Sequence, residues 1–119
     1  MQRFTDLKVW QRSHALTLDM YRLTGRFPDQ ERFGLVSQLR RAAASVPTNI
    51  AEGSKRARNQ DYARFLNIAE ASLAETEYLV ILARDLGYIG SEKSASILKE
   101  ADEIARMLHA LRTKVEKET

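Results

Sequence analysis

An all-α fold, an antiparallel up-down-up-down four-helix bundle, is predicted for this chain by three observations. Apolar residues recur at spacings of three and four through four long segments. Only five glycines and two prolines interrupt 119 residues, so the connections are short and successive helices must pack as antiparallel neighbours. The length, with 44% apolar residues, suits one core and reads as a single domain over residues 1–119.

The first helix is expected over about 7–24, where Leu7, Trp10, His14, Leu18 and Tyr21 form a stripe that Leu16, Met20, Leu23 and Phe27 widen. Gly25 and the Phe27-Pro28-Asp29 turn stop it. The second spans about 30–52, capped near Asp29, with Phe33, Leu35, Val36, Leu39, Ala42, Ala43, Val46 and Ile50 turned inward and Gly53 as its stop. Pro47 lies inside this segment, removes one backbone donor and predicts a kink between Ala43 and Pro47.

The third helix is expected over about 60–86, from a cap near Asn59 or Gln60 to Gly87 and Gly90, on a stripe from Tyr62 and Phe65 through Leu66, Ala69, Leu73, Thr76 and Leu79 to Leu86. The fourth spans about 91–116, capped by Ser91. Its seam of Ile97, Ala101, Ile104, Leu108, Leu111 and Val115 alternates spacings of four and three. The Lys/Glu-rich tail after Arg112 is expected to fray.

Several function classes find no residues to carry them. Without cysteine there is no disulfide framework, thiolate metal site or cysteine nucleophile. A dinuclear bundle site needs Glu-x-x-His pairs, but Gln11 precedes His14 and Arg106 precedes His109 at that spacing. Glu70, Glu75, Glu77 and Asp85 give the third helix an acidic face without a His, Lys or Ser partner for catalysis. No phosphate-cradling glycine loop is present. The chain reads as non-enzymatic, with no catalytic residue, metal or cofactor. The opening Met1-Gln2-Arg3-Phe4-Thr5-Asp6 lacks the layout of a signal peptide, and no apolar run approaches the roughly 20 residues of a membrane span. A soluble cytoplasmic protein without membrane contact is the expectation.

Charge supplies the positive signal. The first 60 residues hold 11 Lys/Arg against 5 Asp/Glu, a balance of +6, while the remainder holds 8 against 11, a balance of −3. Arg40 and Arg41 on the second helix, with Lys55, Arg56, Arg58 and Arg64 around the following loop, could meet phosphate oxygens of RNA or DNA. The same cations could equally be solvated, or Arg40 and Arg41 could pair with Glu52 or Glu70. No base-reading motif accompanies them, so binding would be directed by charge or shape.

Helix three holds more apolar surface than one core can use. The run Tyr78-Leu79-Val80-Ile81-Leu82 turns about 100° per residue and points all round the axis. Tyr78, Val80 and Ile81 are therefore candidates for a homo-oligomer interface; a central helix in a monomer is the alternative. A structural scaffold that binds a protein partner fits the same surplus.

Two stretches carry a family resemblance: Ser37-Gln38-Leu39-Arg40-Arg41-Ala42-Ala43-Ala44-Ser45-Val46-Pro47-Thr48-Asn49-Ile50-Ala51-Glu52-Gly53, and Phe65-Leu66-Asn67-Ile68-Ala69-Glu70-Ala71-Ser72-Leu73-Ala74-Glu75. Together with the opening Phe4-Thr5-Asp6-Leu7-Lys8-Val9-Trp10-Gln11, they resemble the 23S rRNA intervening-sequence protein family, also called the four helix bundle protein family. The resemblance spans about residues 4–89 and departs at Ala71, where members commonly have Gly. It implies a bacterial four-helix bundle assembling into a ring-like homopentamer, akin to the accessory protein of diversity-generating retroelements, a basic pentameric barrel that engages reverse transcriptase and nucleic acid. Arg40, Arg41, Pro47, Asn49, Glu52 and Gly53 stand within the motif. A structural reading of it has Pro47 bending the helix, Ser45 or Asn49 satisfying the backbone groups that Pro47 frees, and Glu52 pairing with an arginine of another helix or subunit.

Overall fold

A computed structural model describes residues 3–118; Met1, Gln2 and Thr119, which the domain reading includes, lie outside the described residues. Four helices form the bundle: α1 (Lys8–Thr24), α2 (Leu35–Ser54), α3 (Asn59–Asp85) and α4 (Ser91–Lys117). Single 3-10 turns at Phe4–Asp6 and Asp29–Glu31 precede α1 and α2. Each helix packs on its neighbours in the order α1, α2, α3, α4, and α1 closes on α4 more lightly. This is up-down-up-down order, with α1 diagonal to α3. The body measures 46 × 24 × 20 Å.

Helices α3 and α4 follow their expected bounds within a residue. Gly87, at φ 84°, ends α3. Its N–H and that of Tyr88 return to the carbonyls of Arg84 and Ala83, the paired bonds of a Schellman cap. Ser91 does not cap α4, since Gly90 takes that position. The tail after Arg112 is helical to Lys117, with Val115 buried. Arg112 is anchored there by the Glu70 carboxylate on α3.

The stripe expected on α1 is rotated. Leu18 and Tyr21 are 40% and 46% exposed, and His14 stacks on Trp10 at the surface, while the interior takes Val9, Ser13, Leu16, Thr17, Met20 and Thr24. The hydroxyls make this possible by returning to backbone carbonyls: Ser13 Oγ to Trp10 O (2.9 Å) and Thr24 Oγ1 to Met20 O (2.7 Å). A buried hydroxyl with an acceptor loses most of its desolvation penalty.

Helix α2 starts five residues later than expected. Asp29 opens the 3-10 turn instead of capping α2, Gly34 holds the N-cap position, and the Glu31 carboxylate reaches the Leu35 N–H at 3.4 Å. Glu31 also accepts from the Tyr88 hydroxyl (2.8 Å), which ties the α1–α2 loop to the α3–α4 loop. Phe33, read as core, falls in this loop and is 89% exposed. At the other end Gly53 is no stop, because α2 continues to Ser54. A Cβ at Gly53 would stand 2.7 Å from Phe65 Cβ and 2.9 Å from Tyr62 Cδ1, so the glycine permits α2 and α3 to meet there.

The helix runs through Pro47, whose missing donor frees the carbonyl of Ala43. Thr17 of α1 supplies the replacement, its Oγ1 lying 3.1 Å from Ala43 O. Ser45 and Asn49 are engaged elsewhere: Asn49 Nδ2 donates to Ser45 O (2.8 Å) and Ser45 Oγ (2.9 Å), and Ser45 Oγ pairs with Ser72 Oγ of α3 (2.8 Å).

Val80 has no exposed surface and belongs to the protomer's own core, so it offers nothing to a second copy. Tyr78 is 60% exposed and Ile81 half-buried.

Candidate nucleic-acid interface

The six candidate cations separate into two groups, because Arg40 and Arg41 lie in the first half of α2 while Lys55, Arg56, Arg58 and Arg64 lie beyond its end, in the turn and on α3. Arg40 and Lys55 are fifteen residues apart, about 22 Å along a helix. Arg40 is consumed by the α1–α2 seam: its Nε donates to Thr24 Oγ1 (2.8 Å), its Nη2 to Tyr21 O (3.1 Å), and its guanidinium lies 4.7 Å from the Tyr21 ring centroid. Arg41 is exposed on the opposite flank, beside Glu75 in a shallow α2–α3 groove floored by Ser45 and Ser72. Among the described residues neither pairs with Glu52 or Glu70, the alternative their sequence positions left open; Glu70 belongs to Arg112.

The second group is built by the tight turn between α2 and α3. Lys55 and Arg56 follow the last turn of α2, where the carbonyl ends of the helix favour cations. Arg56 lays its guanidinium 4.6 Å from the Phe65 ring centroid, and Arg64 approaches the same ring at 5.4 Å. A half-buried phenyl thus holds two guanidinium groups at one corner of the bundle.

One carboxylate partly neutralises this corner. Asp61 accepts from Arg58 Nε (3.1 Å) and lies 4.0 Å from Arg64 Nη2. The Arg58 hydrogen bond holds the Asp61 carboxyl below its ordinary range, against partial desolvation, and the charges of Arg58, Arg64 and Arg56 act in the same direction. The side chain of Arg58 remains 70% exposed and that of Arg64 65%. Among the described residues, Lys55 and Arg56 have no carboxylate within ion-pair distance.

The corner therefore brings together Lys55, Arg56, Arg58 and Arg64 and leaves Arg40 and Arg41 apart. Phe65 was missed as part of it because its place in an amphipathic stripe reads as core; the distance across the turn to Arg56 is not visible in the spacing. Most of the signature motif is spent on packing: Ala43 and Pro47 against α1, Ser45 and Gly53 against α3. Among the described residues no three His, Asp or Glu side chains gather as a metal site, and no helix is long and apolar enough to cross a membrane.

Comparison with known proteins agrees with the geometry. The chain is similar in structure to a protein of unknown function from the S23 ribosomal protein family of Bacteroides thetaiotaomicron VPI-5482, with a TM-score of 0.79 and 27% sequence identity over 87% of this chain and 97% of that one. No curated protein matches the sequence. The family model of the 23S rRNA-intervening sequence protein matches residues 5–110, which include the whole Pro47 motif and reach into all four helices. The helices, the motif and this match agree, and the chain belongs to the 23S rRNA-intervening sequence protein family.

Proposed function

We propose that the protein is a non-enzymatic, homo-oligomeric helical adaptor that binds the backbone of RNA or DNA through the α2–α3 corner. The observation that carries this reading is the exposed pair Lys55 and Arg56, free of carboxylate partners among the described residues, with Arg56 stacked on Phe65 beside Arg58. Unpaired cations on a short turn follow a phosphate chain at little ordering cost, and a guanidinium already held on a ring keeps donors for phosphate oxygens. The N-terminal charge excess and the implied homopentamer support the same reading, since a ring repeats one corner several times and multiplies weak contacts.

The test is anisotropy titration of labelled single-stranded RNA, single-stranded DNA and duplex DNA over a salt series. Replacing Lys55, Arg56 and Arg58 together by Ala is expected to weaken binding at least tenfold and to flatten the salt dependence, by about 0.7–0.9 in log–log slope for each phosphate no longer neutralised. Unchanged affinity and slope would exclude this corner.

A second reading, a scaffold for a protein partner, draws on Phe33 and Tyr78, which are 89% and 60% exposed. Partner capture that resists nuclease, together with no nucleic-acid binding at low salt, would favour it.

A further inference from the structure

We infer that the groove between α3 and α4 holds one unpaired nucleobase of the strand whose phosphates lie on the α2–α3 corner, so that the nucleic acid this protein takes is single-stranded. The inference rests on the proposed function and names its substrate class.

The groove opens beside the corner. Arg58 holds the N-cap position of α3, and Gln60 follows two residues later. Gln60, Arg64 and Asn67 form one wall, which runs seven residues, about 10 Å of helix, from Gln60 to Asn67. Arg112 and Glu116 of α4 form the other wall, and the small Ala63 leaves room between them, in a cleft of about 490 Å³. That volume falls among the clefts of about 300–1,000 Å³ that receive small ligands. Arg64 belongs to both places: it lines the groove and approaches the Phe65 ring that holds Arg56.

Charge separates what the corner takes from what the groove takes. At the corner, Lys55 and Arg56 have no carboxylate within ion-pair distance among the described residues. In the groove, Arg64 and Arg112 stand with Asp61 and Glu116, two cations against two carboxylates. A phosphate is drawn to the corner and finds no net charge in the groove, so the part of a nucleotide suited to the groove is its neutral, polar base.

The lining side chains have the chemistry of a base edge. The amides of Gln60 and Asn67 are exposed and have no hydrogen-bond partner among the described residues. Each offers a donor beside an acceptor, the pattern that a base presents on its own edge. The Arg112 guanidinium is fixed by the Glu70 carboxylate, by Glu116 (3.3 Å) and by His109 Nδ1 (3.3 Å). A guanidinium held in this way is a platform on which a base can stack. In a duplex the base edge is already paired and the base is stacked between neighbours, so a duplex offers the corner its phosphates and the groove nothing.

Anisotropy titrations of the full chain test this with labelled probes of one length: a mixed-sequence single strand in ribose and deoxyribose forms, an abasic strand that keeps every phosphate, and the duplex of the same sequence. A base-bearing single strand is expected to bind about tenfold tighter than the abasic strand. Gln60→Ala combined with Asn67→Ala, both at exposed positions and checked by circular dichroism, should remove most of that difference. The same double variant should leave the salt slope, and the affinity for the abasic strand and the duplex, unchanged, because no phosphate contact is lost. The variant with Lys55, Arg56 and Arg58 replaced by Ala should instead weaken every probe and flatten the slope. Base dependence in either sugar form supports the groove, and the contrast between the two forms tells whether RNA or DNA supplies the base. A wild type that binds the abasic strand as tightly as the base-bearing strands, or a Gln60 and Asn67 double variant that binds every probe like the wild type, overturns the groove and leaves the corner standing. No binding of any probe at low salt overturns both.

Discussion

The hydroxyl of Thr17 on α1 stands 3.1 Å from the carbonyl oxygen of Ala43 on α2, the acceptor that Pro47 leaves without its helical donor. Thr17 Oγ1 also lies 2.9 Å from Ser13 O, so one proton is shared between two acceptors in a site where Ala43 is 1% and Thr17 8% exposed. A buried carbonyl without a partner costs roughly 1–3 kcal/mol. The proline in α2 is thus tolerated through a side chain on another helix, and the α1–α2 pairing is bound to the motif.

Thr17→Val removes this donor with little change of shape. It is expected to destabilise the protein by about 1–2 kcal/mol in urea denaturation at matched protein concentration. In a Pro47→Ala background the backbone regains its donor, and the same substitution should cost about 1 kcal/mol less. Equal costs in the two backgrounds would show that Thr17 acts through Ser13 alone.

Gly53→Ala sets two principles against each other. Alanine is the better helix former by about 1 kcal/mol, which would stabilise α2 if helix propensity decided the outcome. The added Cβ, however, meets the Cβ of Phe65 at 2.7 Å, a position fixed by backbone and not by a flexible side-chain end. Overpacking of this kind costs about 1–3 kcal/mol, so net destabilisation is expected, and with it a displacement of Phe65 that disturbs Arg56. A rise in melting temperature would mean that the helices separate easily at this crossing.

The half-buried Glu77 of α3 provides a pH test. Desolvation raises its pKa, and the Asp102 carboxylate of α4 adds to the rise. A carboxyl whose folded pKa lies above its unfolded value contributes stability that is complete below the unfolded value, about 4.3, and is lost as pH rises through the folded one. Glu77→Gln, which retains the shape of the protonated form without its titration, should therefore stabilise the protein at pH 7, with the gain shrinking towards pH 4. Thermal melts of both proteins across that interval give the comparison; a gain that grows on acidification would reverse the assignment.

What the sequence determined by itself is what neighbouring residues in the chain can decide. Four helices, the ends of α3 and α4, and the seam from Ile97 to Val115 follow from periodicity and from Gly87, because a helix and its cap are made within a few residues of each other. The cations Lys55, Arg56 and Arg58 were legible for the same reason: they sit in a short polar turn between two apolar-periodic segments, outside the helix faces.

Tertiary structure decided which way those elements turn. On α1 the apolar pattern favoured Trp10, His14, Leu18 and Tyr21, yet Ser13, Thr17 and Thr24 face inward, since a hydroxyl that finds a carbonyl is buried cheaply and Thr17 finds one on α2. Arg40 passed from the candidate surface to the α1–α2 seam once Thr24 and the Tyr21 carbonyl stood opposite it. Val80 went to the core and Tyr78 to the surface by the rotation of α3, and Phe65 joined Arg56 only because the turn folds the two helices together. Periodicity says that a helix has a face; the partner helix, through the contacts and hydrogen bonds it offers, selects which face is buried.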